Sequence, residues 1–159
     1  MEVLDLEKEL IIISALRENA RYSLTDMSKK TRIPVSTIYD KLKTYRGELI
    51  KKYTSIIDFN KLGFNARANV LLKVPNDKVE LLKSYLLNHG SVNSLSKVNN
   101  GYNFFIEVIF RNLMELEAFL ENLEIKHSIS EKQVFYVIED LRREDFLSNP
   151  QYLKIRNFI

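Results

Sequence analysis

Between Asp5 and Asn19, apolar residues fall at Leu6, Leu10, Ile13 and Leu16. That is helical spacing, and Ile11 and Ile12 widen the stripe beyond one face, so a first helix buried on more than one side is predicted. Ser23 and Asp26 form an S-x-x-D capping signal that opens a second helix. Its inward residues are Leu24, Met27 and Thr31, with Lys29 and Lys30 near its end. Thr31-Arg32-Ile33-Pro34 reads as a turn plugged by Ile33. A third helix starts near Pro34 or Val35, since proline suits a first helical turn, with Ser36 as the alternative cap. On it, Ile38, Leu42 and Tyr45 share one face. The opposite face carries Ser36, Tyr39, Asp40 and Lys43, flanked by Thr37, Thr44 and Arg46. Glu48–Asp58 reads as a strand with Lys51 and Lys52 at its start, and Asn60–Phe64 is a break turned by Gly63.

The rhythm then changes to period two. Ala66, Ala68, Val70, Leu72 and Val74 alternate with Arg67, Asn69, Leu71 and Lys73, which predicts a strand over Asn65–Val74. Asp77–Asn88 reads as a helix with Val79, Leu82 and Leu86 inward. Val92–Val98 is a strand, and Asn99-Asn100-Gly101 is a turn requiring positive φ. Tyr102–Phe110 is a strand with Phe104, Ile106, Val108 and Phe110 on one face. Leu113, Leu116, Leu120 and Leu123 mark a further helix, and Gln133–Glu139 a last strand. The order β-α-β-β-α-β is that of a ferredoxin-like split unit. Its helix-free face carries Leu71, Phe105 and Ile109, which calls for a partner, and two-fold pairing of sheets supplies one. Leu141–Leu147 reads as a short helix, and Gln151–Ile159 as another that either packs on a neighbouring subunit or frays.

The fold class is therefore α+β. A winged helix-turn-helix occupies residues 1–60, a βαββαβ ferredoxin-like domain 61–140, and an extension 141–159. The chain has 159 residues, 45% of them hydrophobic, which suffices for one domain or two small ones. Net charge is only +3, but the cations crowd the first third, which points to a polyanion partner for that part alone. With no cysteine, disulfides and thiolate metal sites are excluded, and a reducing cytoplasm fits. The acidic, amphipathic opening does not read as a signal peptide, and no apolar run is long enough for a membrane span. Two short helices with a tight turn and basic flanks are a device for lying in the major groove of double-stranded DNA. Helix-three hydroxyls, phenol and cations would face the bases. Lys51 and Lys52 would touch phosphate or form an ordinary charged edge. Asp40 repels phosphates, yet can accept from a cytosine amino group or pair with Lys43 or Lys41.

These residues resemble the Lrp/AsnC, or feast/famine, transcription regulators. Asp5 and Asn19-Ala20-Arg21 match the family's opening pattern. Ile50-Lys51-Lys52-Tyr53 through Asp58 to Leu62-Gly63-Phe64 is similar to its wing and linker, and the later half resembles its ACT-like RAM domain. The resemblance covers roughly residues 3–140. It implies a dimeric DNA-binding regulator that often assembles into octamers, with amino acids or related small molecules bound between RAM domains. It places Ser36, Thr37, Tyr39, Asp40 and Lys41 in the recognition helix. With Arg21, Lys29, Lys30, Lys43, Arg46, Lys51 and Lys52, these are the expected DNA-binding residues. Arg32 and Pro34 stand where the family turn usually has Gly and Ser. In the effector loop Gly101 and Asn103 match by position, but asparagine lacks the charge that would pair an amino group.

No cofactor, metal or catalytic residue is expected. His89 and His127, near helix ends, read as surface residues without a ligand set around them. No phosphate-binding glycine loop or nucleophile elbow is present. One enzyme alternative remains: sirohaem decarboxylases resemble the same architecture, and Tyr102-Asn103 superficially matches their Y-N pair. However, Ser94–Gly101 lacks the histidine and arginine such a substrate needs. A third reading is an interaction protein that kept the fold and lost DNA binding.

Overall fold

The computed structural model describes residues 3–151, with side chains from Leu6 onward. From residue 152 on, the expected terminal helix lies outside the described residues. Two compact units divide the chain. One holds the residues up to Ser55 together with the segment that begins at Leu141, and the other is Ile56–Asp140.

The first unit is built on α1 (Val3–Glu18), α2 (Leu24–Thr31) and α3 (Val35–Tyr45). Its core is Ile12, Ala15, Met27, Ile33, Ile38 and Tyr45, with Ile11, Leu16, Leu24 and Leu42 packed against it. The inward side of α1 is thus centred on Ile12 and Ala15, whereas Leu6 is exposed. Three consecutive isoleucines surround the helix axis, so the spacing of the leucines did not fix its rotation. Ser23 caps α2 as expected, its Oγ accepting from the Asp26 N–H at 3.1 Å. Helix α3 begins after Pro34, and no side chain caps it.

The expected strand over Glu48–Asp58 is not formed. A single backbone bridge joins Arg46 and Ile50, and residues 51–58 follow without regular structure. Among the described residues no strand lies beside them, so their backbone has nothing to pair with. The short helix expected over Leu141–Leu147 is also absent. Glu144 and Leu147 take positive φ, and the carbonyls of Glu144 and Phe146 accept from Arg17 of α1 at 2.7 and 3.0 Å instead of from a helical turn.

In the second unit, β1 (Ala66–Lys73), β2 (Val92–Lys97), β3 (Phe104–Phe110) and β4 (Glu131–Tyr136) form one antiparallel sheet in the order β2-β3-β1-β4. Helices α4 (Val79–Leu87) and α5 (Leu113–His127) supply the remaining elements of a βαββαβ fold. Alternation on β1 and β3 buries Ala66, Ala68, Val70, Leu72, Phe104, Ile106 and Val108 beneath Leu82, Leu86, Leu116, Phe119, Leu120 and Leu123. Leu113 is not on this stripe: it opens α5 and is exposed. The last strand starts at Glu131, two residues before the expected start, because it pairs with Lys73 at the end of β1.

The histidines correct the sequence reading. His127 is buried and His89 half-buried. Both rings lie against Tyr85, at 4.6 and 5.4 Å between centroids, and His89 also meets Phe119 at 4.7 Å. Burial pushes both imidazoles below the ordinary histidine value, and Lys126 adds to the effect at His127.

Candidate functional site

The turn between α2 and α3 sets the site. Arg32 adopts a left-handed conformation at φ 59°, and its N–H donates to the Ser28 carbonyl at 2.9 Å. Glycine usually fills such a position because it has no Cβ to clash; here an arginine does. Thr31 Oγ1 donates to the Met27 carbonyl at 2.7 Å and accepts from the Ile33 N–H at 3.3 Å. Ile33 is thereby driven into the core as the plug between the two helices, and α3 leaves with a fixed rotation.

That rotation sends Ile38 and Tyr45 inward and leaves Ser36, Tyr39, Asp40 and Lys43 exposed on one stripe. Thr37 flanks the stripe half-buried, and Thr44 and Arg46 flank it exposed. Arg21, Lys29, Lys51 and Lys52 are exposed on the same unit. Among the described residues, Arg21, Lys29, Lys43, Arg46 and Lys52 have no carboxylate partner, and the Lys51 ammonium donates to the Gly47 carbonyl at 3.2 Å.

Two of the expected cations are otherwise engaged. Lys41 turns toward α1, where its ammonium meets Glu9 at 2.9 Å with both side chains mostly covered. Lys30 meets Glu18 at 2.7 Å and lies over the Tyr22 ring at 5.3 Å, and the hydrogen bond to Glu18 raises its pKa. Sequence spacing marks all of these lysines alike. Their carboxylate partners lie 32 and 12 residues away, so nothing local distinguishes them.

In the second unit, Asn100 and Gly101 take positive φ, 61° and 87°, at the β2–β3 turn. Asn103 fastens the end of β1. Its Oδ1 accepts from the Val74 N–H at 2.8 Å, and its own N–H donates to the Leu72 carbonyl at 2.9 Å. The carboxylate at this corner is Glu131 on β4, an exposed side chain. It accepts from the Tyr102 hydroxyl at 2.5 Å and lies 3.5 Å from the Lys73 ammonium. The Tyr102 hydrogen bond lowers the Glu131 pKa and raises that of Tyr102. Among the described residues no group of three His, Asp or Glu side chains is placed to hold a metal ion, and no helix is long and apolar enough to cross a membrane.

No protein-family model matches the chain. It is 30% identical over 111 residues to the HTH-type transcriptional regulator FL11 of Pyrococcus horikoshii, spanning 69% of this chain and 74% of that one. Among solved structures, it is similar to the transcriptional regulator NMB0573 of Neisseria meningitidis in complex with L-Met. That likeness has a TM-score of 0.77 at 14% identity over 86% of this chain and 91% of the other. LrpC of Bacillus subtilis gives 0.76 at 18% identity over 85% and 95%.

Proposed function

The chain belongs to the Lrp/AsnC family of transcriptional regulators, and from that premise we propose that α3 lies in the major groove of a specific DNA site. Ser36, Thr37, Tyr39, Asp40 and Lys43 read bases, and Arg21, Lys29, Arg46, Lys51 and Lys52 hold phosphates. Lys41 and Lys30 instead brace the reader through Glu9 and Glu18. The observation that carries this reading is the set of exposed cations without carboxylate partners, among the described residues, on the unit that presents the outward stripe of α3. Such charge is stabilised by an external polyanion.

Two copies of the chain present two readers. Phe135 is exposed on the helix-free sheet face, which it shares with half-buried Leu71, Phe105 and Ile109, and Tyr53, Ile56 and Ile57 are exposed along residues 51–58. Their exposure supports a two-fold dimer in which a second copy covers them, and the regulator so formed acts in the cytoplasm. An amino-acid effector is the small-molecule partner this reading implies, as in the L-Met complex of the Neisseria regulator, and Gly101 and Asn103 stand at the loop that would meet it. The nearby Glu131 carboxylate is already engaged by Lys73 and Tyr102.

The test is DNA binding followed as a function of salt. Affinity falls steeply with ionic strength, each phosphate contact contributing a slope of about −0.9 in log–log form. Tyr39→Ala with Lys43→Ala lowers affinity while the dimer mass stays the same. Unchanged affinity in that variant overturns the assignment of this helix face.

A further inference from the structure

Asp40 is the one carboxylate on α3. It sits in the middle of the outward stripe, with Ser36 one turn before it, Tyr39 beside it and Lys43 one turn after. Three other acids of this unit are already occupied. Glu9 holds Lys41, Glu18 holds Lys30, and Asp26 accepts from the Ser23 hydroxyl at 2.6 Å. The two lysines within reach of Asp40 along the helix do not take it up. Lys41 is drawn to Glu9, and Lys43 lies exposed without a carboxylate partner. Among the described residues the Asp40 carboxylate makes no hydrogen bond or ion pair.

Resting on the reading above, we infer that Asp40 is the specificity-determining residue of the reader and selects a cytosine in each half-site. An ionised carboxylate only accepts hydrogen bonds. Brought against a duplex it is repelled by phosphates, so it is tolerated only where the groove offers a donor. In the major groove the donors are the amino groups of cytosine and adenine. Cytosine presents its amino group alone. Adenine presents its own beside the N7 acceptor, which opposes the second carboxylate oxygen. Guanine offers two acceptors, and thymine an acceptor and a methyl group. Asp40 therefore favours cytosine and works against guanine and thymine. The cations around it supply the affinity that its own charge opposes.

The experiment is in vitro selection of bound DNA with the full chain, its Asp40→Ala and Asp40→Asn variants, and Tyr39→Ala with Lys43→Ala. Affinities for single-base variants of the selected site are then measured at one salt concentration. The expected result is a fixed cytosine in each wild-type half-site. Replacing it by guanine or thymine weakens wild-type binding about ten-fold or more. Asp40→Ala flattens the preference at that position alone and binds unselected DNA more tightly. Asp40→Asn moves the preferred base toward adenine, because a carboxamide matches the adenine edge. Circular dichroism of both variants matches wild type, since the side chain is exposed. A selected site without a fixed cytosine, or a preference unchanged in Asp40→Ala, overturns the inference. If Tyr39→Ala with Lys43→Ala loses binding in that case, the reading of α3 stands and only Asp40 is misassigned. If the wild type selects no sequence at all, both fail.

Discussion

In the sheet unit, Lys73 meets Glu131, Lys83 meets Glu80, Lys132 meets Glu124, and Arg67 is bracketed by Asp140 and Glu107. In the helical unit, Arg21, Lys29, Lys43, Arg46 and Lys52 meet no carboxylate among the described residues. Exposed ion pairs add little stability, usually less than about 1 kcal/mol each, so the contrast is not about holding the fold. Among the described residues, it separates a surface whose cations are mostly neutralised within the chain, Lys97, Arg111 and Lys126 excepted, from one where most are left for something outside. The cores differ as well. The sheet unit buries an alternating set on two strands beneath two helices, while the reader buries six apolar core residues, among those described, around Met27 and Ile38.

The largest expected effect tests that second difference. Ile38→Ala removes a fully buried side chain from the smaller core and costs about 2–5 kcal/mol. Calorimetry is expected to show the reader melting earlier while the sheet transition stays in place. One joint transition moving as a whole refutes independent cores. Next is Arg17→Ala, which removes three hydrogen bonds to Glu144 and Phe146. The site is partly exposed, so the loss is about 1 kcal/mol, and limited proteolysis reads it as faster cutting after Leu141.

The charge contrast is broken by exchanging cations. Lys52→Ala lowers the salt slope of DNA binding by about 1, whereas Lys132→Ala in the sheet unit leaves it unchanged. Equal effects from both lysines refute the contrast.

Acid distinguishes the units too. The folded pKa of His89 and of His127 lies below the unfolded value, so the unfolded chain binds more protons as pH falls. Stability from these groups is complete above about pH 6.5 and declines as pH drops below it toward the depressed folded values. The backbone N–H of Ser91 donates to His89 Nδ1 at 3.2 Å, a bond that a protonated ring cannot accept. The urea midpoint of the sheet unit is expected to be lower at pH 5.5 than at pH 7.5, and His89→Gln with His127→Gln to flatten the difference. The smallest effect is Arg32→Gly. It relieves the left-handed strain but loosens the unfolded chain, for a net gain below about 1 kcal/mol in denaturant titration.

Legibility followed periodicity. The strand β1 was readable because Ala66 through Val74 alternate without a break, and one register satisfies them all. The outward face of α3 was readable because Ile38, Leu42 and Tyr45 leave no other rotation. The rotation of α1 was not, since Ile11, Ile12 and Ile13 are apolar on every side. Residues 51–58 have the composition of a strand but no neighbour among the described residues. Lys41 resembles Lys43 in sequence, and only the distant Glu9 separates their roles. His89 and His127 looked exposed because the aromatic residues that cover them, Tyr85 and Phe119, come from two helices.

The segment beginning at Leu141 belongs with the helices made first, so the sheet unit is in effect an insertion within the reader. A chain emerging from a ribosome presents its three helices early, but Arg17 must wait for Glu144 and Phe146 until the whole sheet has been synthesised. The part translated first is the part finished last. A protein terminated after Asp140 keeps α1–α5 and β1–β4, yet its reader is released without the Arg17 brace.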